Sequence, residues 1–302
     1  MPTAPPPTPL RRAAPFALAV GLAAALAAPA AAYVRTRSPD GTFPLLWADP
    51  HITMTLRTSG AQVVSAADFI GAARRSAATW SDPALSSSLA FTIDASGDAP
   101  PGTHFDQVNT VSFRTDSWNE PMYPEQALAL TTVWSQDSQI VDADTEINAV
   151  DPRFQWGVLP DDPTQAALAA EVDLQNALTH ELGHVIGLSH PCTLADPPAR
   201  PETDDTGAPV LSCSDPALPA SVRDATMFPS SEPGSIAERT LSPDEIKAVH
   251  DLYPLRGAVA PVLGDRSGGC AVAPRGDERG ALLVAAWSIA MLLARRRRAP
   301  TR

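Results

Sequence analysis

Eleven consecutive residues hold most of the chemistry this sequence can do: His180-Glu181-Leu182-Gly183-His184-Val185-Ile186-Gly187-Leu188-Ser189-His190. On a helix, His180 and His184 stand one turn apart on one face, so both imidazoles can reach one metal ion. Glu181 follows the first ligand and can take a proton from water bound on the open side of that metal. Gly187 accepts a positive φ, which ends the helix and lets the chain turn back to present His190 as a third ligand. Three histidines leave the fourth position of a tetrahedral zinc ion to water, the arrangement of a catalytic rather than a structural site. A helix with a few satisfied histidines is the plainer reading of His-x-x-x-His alone. The longer pattern takes up three of the chain's six histidines and weighs against it.

A helix must carry these residues. Asp173 can cap it, and Leu174, Leu178, Leu182 and Val185 or Ile186 give it a core side, with the histidine face turned to a cleft. Upstream, Ile52, Met54 and Leu56 alternate with Thr53, Thr55 and Arg57, as in a strand with one buried face. Ser65 can cap a helix reaching about Trp80, with Phe69, Ile70, Ala73 and Ala77 as its apolar stripe. Strands are expected over 89–93, 109–114, 127–134 and 140–147, with a short fifth at 154–156. Residues 164–171 read either as a helical turn or as a loop. A final helix is expected within 241–253. This order makes an α+β domain. Asp142, Asp144 and Glu146 alternate along one strand and so share a face, read as a solvent-facing acidic face.

The eleven residues resemble the zinc signature of the metzincin metalloproteases, HExxHxxGxxH. Ala225-Thr226-Met227-Phe228-Pro229, centred 37 residues beyond His190, resembles the methionine turn of that family. Its order of methionine, aromatic and proline looks like the matrixin branch, although Phe228 holds a place where tyrosine is usual. The stretch 241–253 is similar to the closing helix of matrixin catalytic domains. The resemblance is strong from about Asp173 to Tyr253 and weaker upstream. It implies a metzincin-like fold, with a twisted mixed sheet, long helices, a zinc helix and a methionine turn. It further implies a zinc-dependent endopeptidase that hydrolyses peptide bonds in extracellular proteins or peptides. In that reading His180, His184 and His190 bind zinc, Glu181 is the general base, and Met227 packs beneath the metal. Ala143-Asp144 matches part of a matrixin calcium motif, so calcium is a second cofactor the resemblance implies, against the solvated acidic strand. Two matrixin features have no counterpart: the histidine-rich second zinc site, and a cysteine ahead of the domain to hold it latent. Two competing readings stand beside this one. Glu202, 18 residues after His184, could replace His190 as third ligand, as in another HExxH family. Alternatively the chain is a non-catalytic zinc-containing surface protein, or a protease dedicated to one partner.

Both ends of the 302-residue chain read as addresses. Residues 1–32 have paired arginines, an apolar run over 16–28 and Ala30-Ala31-Ala32, the order of an export signal. A domain over 33–254 follows, then a linker over 255–269 rich in Gly, Pro and small residues. Residues 270–302 begin at Cys270, continue through an apolar run over 281–294 and close on Arg295–Arg298. Fourteen residues make only about 21 Å of helix, short of a ~30 Å hydrocarbon core. The order resembles C-terminal sorting tails of myxobacterial surface proteins, which implies Cys270 as the sorting point; a short tail anchor is the alternative. Between these ends lie 32 acidic and 13 basic residues, a formal charge of −19. Such a body repels nucleic acid and anionic membranes. The expectation is an exported monomer, secreted or attached to the cell surface. Its partners are peptide substrates and the export and sorting machinery, with membrane contact only through the tail. Cys192 and Cys213 are expected to pair as a disulfide in an oxidising compartment, with two free thiols as the alternative.

Overall fold

The computed structural model describes residues 33–60, 63–97, 99–120, 123–194 and 201–255, with Met1 and the backbone of 284–286. The predicted signal, the linker beyond Leu255 and Cys270 lie outside the described residues. In chain order the first elements are β1 (Val34–Arg35), β2 (Leu46–Trp47), β3 (His51–Leu56), α1 (Ala66–Trp80), β4 (Ala90–Asp94), β5 (Thr110–Arg114), β6 (Ala129–Gln136) and β7 (Gln139–Asn148). There follow β8 (Trp156–Gly157), α2 (Pro163–Ala166), β9 (Val172–Asp173), α3 (Leu174–Val185), β10 (Leu188–Ser189), α4 (Ala220–Arg223), α5 (Pro243–Leu252) and β11 (Val284–Ala286).

The fold is mixed α/β around one mostly parallel sheet, in the order β11-β6-β7-β5-β3-β4, with β2 also on β7. Strands β3 and β4, β3 and β5, β5 and β7, and β2 and β7 run parallel. The pairs β6–β7 and β11–β6 are antiparallel. A parallel neighbour needs a crossover, and α1 supplies it between β3 and β4. In β3 the predicted alternation is realised: Ile52, Met54 and Leu56 are buried and His51 and Thr53 exposed. Ser65 caps α1 by accepting the Asp68 N–H at 3.0 Å. The helix then buries Phe69, Ala72, Ala73, Ala77 and Trp80 against the sheet.

Helix α3 begins at Asp173, which accepts the Asn176 N–H at 2.8 Å. The same carboxylate takes two bonds from the Arg239 guanidinium, each 2.7 Å, so the cap is also a buried bidentate ion pair. Leu174, Leu178, Leu182, Val185 and Ile186 are all in the core, as their spacing requires. Two helices cross under the sheet with hydrogen bonds between them: Ser76 Oγ donates to Gln175 O at 2.9 Å and Trp80 Nε1 to Thr179 O at 2.8 Å. Residues 164–171 resolve into the short helix α2 followed by a loop. Ser242 opens α5 with a capping box completed by Glu245. Among the described residues no helix is long and apolar enough to cross a membrane.

One expectation fails. Asp142, Asp144 and Glu146 do share a face of β7, but that face is buried, each residue being at most 1% exposed. His104, Asp106, Gln107, Thr110, Arg114 and Tyr123 supply the donors that a solvated face would take from water. Asp142 Oδ2 accepts the N–H groups of Asp106 and Gln107 at 2.8 and 2.7 Å. Asp144 accepts the His104 and Thr110 N–H groups and the Thr110 hydroxyl, at 2.7–2.8 Å. Glu146 receives Arg114 Nη1 at 3.0 Å and the Tyr123 hydroxyl. These carboxylates anchor a loop.

Candidate metal centre

Helix α3 presents His180, Glu181 and His184, and the turn after it brings His190 to them. Gly187 makes that turn at φ +92°, and a Cβ there would sit 2.6 Å from the Leu45 carbonyl oxygen. No side chain fits, so glycine is required both by the backbone and by the close approach. The three Nε2 atoms form a nearly equilateral triangle: 3.2 Å between His180 and His184, 3.3 Å between His180 and His190, and 3.2 Å between His184 and His190. Tetrahedral zinc with Zn–N bonds of about 2.0–2.1 Å holds its nitrogens about 3.3 Å apart. The donor set therefore fits that ion.

The other ring nitrogens fix the tautomers. His180 Nδ1 bonds the Thr226 carbonyl and His184 Nδ1 the Leu188 carbonyl, both at 2.9 Å. A carbonyl can only accept, so both Nδ1 atoms carry the proton and both Nε2 lone pairs face the triangle. Burial lowers His180 to about 3 and His184 to about 4, with the neighbouring imidazole adding to the shift at His180. His190 is pushed well down by burial and by the other two rings. All three are neutral at neutral pH, the state a metal ligand needs. They form the one group of three or more His, Cys, Asp or Glu side chains suited to a metal ion among the described residues. Among the described residues no such cluster includes Asp144, whose carboxylate accepts the N–H and O–H groups above. Glu202 is exposed and outside the group.

Glu181 is fully buried and adjoins His180 in α3. Its Oε2 accepts the Thr131 hydroxyl at 2.6 Å, and Thr131 Oγ1 lies 2.9 Å from Thr145 Oγ1 on the neighbouring strand. The histidine face of α3 is thus as buried as its core face, where the sequence placed it on a cleft. Met227 lies under the helix. A Cβ on Gly183 would fall 2.2 Å from its sulfur, so the glycine lets the methionine approach the backbone between Glu181 and His184. The turn at 225–228 closes with Phe228 N–H on Ala225 O at 3.0 Å. Glu245 of α5 accepts the Met227 and Thr226 N–H groups at 3.1 and 3.2 Å. Helix α5 thereby holds the Thr226 carbonyl that orients His180. Cys192 and Cys213 are joined in a disulfide, two residues past His190.

The sequence reading missed Thr131, Glu245 and the tautomer-setting carbonyls. Thr131 left a trace, as a polar residue between Ala129 and Val133 on the inward face of β6, and Glu245 left one in its capping-box spacing from Ser242. The carbonyls left none, because a backbone acceptor has no residue type. No protein-family model matches this chain, and no curated protein matches it at a significant level.

Proposed function

We propose that this chain is a zinc-dependent endopeptidase of the metzincin type, exported and acting on extracellular proteins or peptides. The observation that carries the reading is the triangle of buried, neutral Nε2 donors with the Glu181 carboxylate beside it. A purely structural zinc site closes its fourth position with another protein ligand, and no fourth ligand joins these three among the described residues. Zinc bound by His180, His184 and His190 would supply Lewis acidity, acidifying water and polarising a peptide carbonyl. Glu181 takes the proton from the attacking water and delivers it to the leaving amine. Thr131 donates to Glu181 Oε2 and so orients the carboxylate. Met227 and Gly183 set the floor through packing, and Glu245 keeps the turn that aligns His180. The Met227 turn, the capped α5 and the sequence resemblance together favour a metzincin over other zinc hydrolases.

The test is peptidase activity of the purified full chain on a mixed peptide library, with zinc quantified in the same sample. Cleavage that a chelator and Glu181→Ala both abolish is the expected result. One bound zinc with no cleavage of any peptide would sink the enzymatic reading. No bound zinc would sink the site itself.

A further inference from the structure

The end of helix α3 is gripped from outside. Four consecutive carbonyls, from Val185 to Leu188, each receive a donor from a segment distant in sequence. Trp47 Nε1 donates to Val185 O at 2.7 Å and the Tyr253 hydroxyl to Ile186 O at 2.8 Å. Thr36 supplies the next two, its N–H to Gly187 O at 2.9 Å and its Oγ1 to Leu188 O at 3.0 Å. The Trp47 N–H donates in turn to the Tyr253 oxygen at 3.2 Å, tying two of the donors together. Strand β1 continues the grip, pairing Val34 with Ser189 and Arg35 with Leu188.

Helix C-termini leave carbonyls without intrahelical partners, and water ordinarily serves them. Here Val185, Ile186 and Leu188 are buried, and the N-terminal segment, β2 and the end of α5 provide the donors instead. These are also the residues that lead from His184 to His190. The Leu188 carbonyl is shared, because it accepts both the Thr36 hydroxyl and His184 Nδ1. Tyr253 is buried, which raises its pKa and keeps the phenol a donor.

We infer that Thr36, Trp47 and Tyr253 are positioning residues for the metal centre. They hold the turn that presents His190 and orient the carbonyl that sets the His184 tautomer. None of them touches the metal; each acts through the backbone of 185–188. The inference rests on the proposed zinc site and adds that the ligand triangle is assembled before the metal arrives. Without the grip, part of the binding free energy goes to ordering the turn, and the loss appears as weaker metal affinity. Among the side-chain donors Thr36 matters most, since its hydroxyl bonds the carbonyl that also holds His184 Nδ1; its N–H bond to Gly187 O is independent of the side chain.

The test is zinc affinity of the full chain by chelator competition, with the cobalt(II) spectrum for coordination geometry and urea unfolding of the metal-free protein. Thr36→Val should weaken zinc binding about tenfold, as the loss of a hydrogen bond that orients a ligating histidine does, and Thr36→Ser should keep it near the wild-type value. Tyr253→Phe and Trp47→Phe should weaken it measurably but by a smaller factor. Ile52→Val, a core truncation in β3, should lower stability and leave affinity unchanged. Tyr253→Phe removes one oxygen and keeps the ring, so it carries the test if Thr36→Val does not fold. The inference is overturned if Thr36→Val and Tyr253→Phe bind zinc as tightly as the wild type, or if Ile52→Val weakens binding equally. A wild-type chain that takes up no zinc overturns the proposed function first, and is told apart from those outcomes by the wild-type measurement alone.

Discussion

Two regions of this molecule bury titratable side chains at regular spacing, and they do opposite things with them. On α3, His180 and His184 repeat at helical spacing, and their Nε2 atoms converge with that of His190 at 3.2–3.3 Å. On β7, Asp142, Asp144 and Glu146 repeat at strand spacing, and their oxygens are taken up largely by N–H and O–H donors of residues 104–114 and Tyr123. Both sets are almost wholly inaccessible. Burial therefore does not separate a candidate site from a scaffold. Where the lone pairs point does: at one another on α3, at the chain's own donors on β7.

The largest test of that contrast is at Glu181. Glu181→Gln should lower turnover by about 10³-fold or more, the weight of a general base, while zinc content per chain stays at the wild-type value. Turnover near wild type in that variant would break the assignment of the α3 face as the reacting one. The reciprocal change is Asp144→Asn. It puts an amide N–H against one of the donors that Asp144 now accepts, and should cost about 2 kcal/mol in urea unfolding. Zinc content should not change, and added calcium should not restore the loss; calcium-dependent recovery would turn the β7 face back into a metal site. Thr131→Val sharpens the α3 side, because it removes the donor to Glu181 Oε2 and keeps the side-chain shape. It should reduce turnover about tenfold with zinc affinity unaltered. Equal losses in turnover and affinity would make Thr131 a packing residue.

The smallest effect is in pH dependence, where the two regions have opposite signs in the metal-free protein. Burial lowers His180 to about 3 and His184 to about 4. Their contribution is present above the unfolded histidine pKa of about 6.5 and is lost as pH falls through the folded values. Burial raises Asp144 to about 6. Its contribution is complete below about 4 and is lost as pH rises through 6. The two trends offset one another between about pH 4 and 6.5. Asp144→Asn should therefore make the rise in stability across that window steeper than in the wild type. Parallel urea-midpoint curves would show that Asp144 does not titrate there.

Much of the α3 side was legible in the sequence, and for a stated reason. His180, Glu181 and His184 lie within five residues on a helix, and Gly187 can only serve a turn, so local geometry nearly dictates where the ligands go. Asp173 as a cap, Ser65 as a cap and the alternation in β3 were readable on the same ground. On β7 the spacing gave the shared face correctly and the environment wrongly. Alternation says which side chains lie together; it does not say what covers them, and a run of three acids most often faces water. Thr131 belongs with this second group, since its partner Glu181 is 50 residues away and meets it only because β6 lies over α3.

The sequence by itself thus determined the candidate ligand set, the helix that carries it and the turn that completes it, because those depend on backbone periodicity and on one glycine. Tertiary structure alone decided which nitrogens are free, since carbonyls of residues 188 and 226 set the tautomers. It also decided that Glu245 holds the Met227 turn, that Thr36, Trp47 and Tyr253 hold the end of α3, and that the acidic face of β7 lies under a loop. Apart from the local contact of His184 with the Leu188 carbonyl, each of these is a hydrogen bond between segments distant in sequence, whose partners are often backbone atoms that every residue has alike. Residue type identifies a side chain's chemistry, but only the folded chain determines which acceptor that chemistry meets.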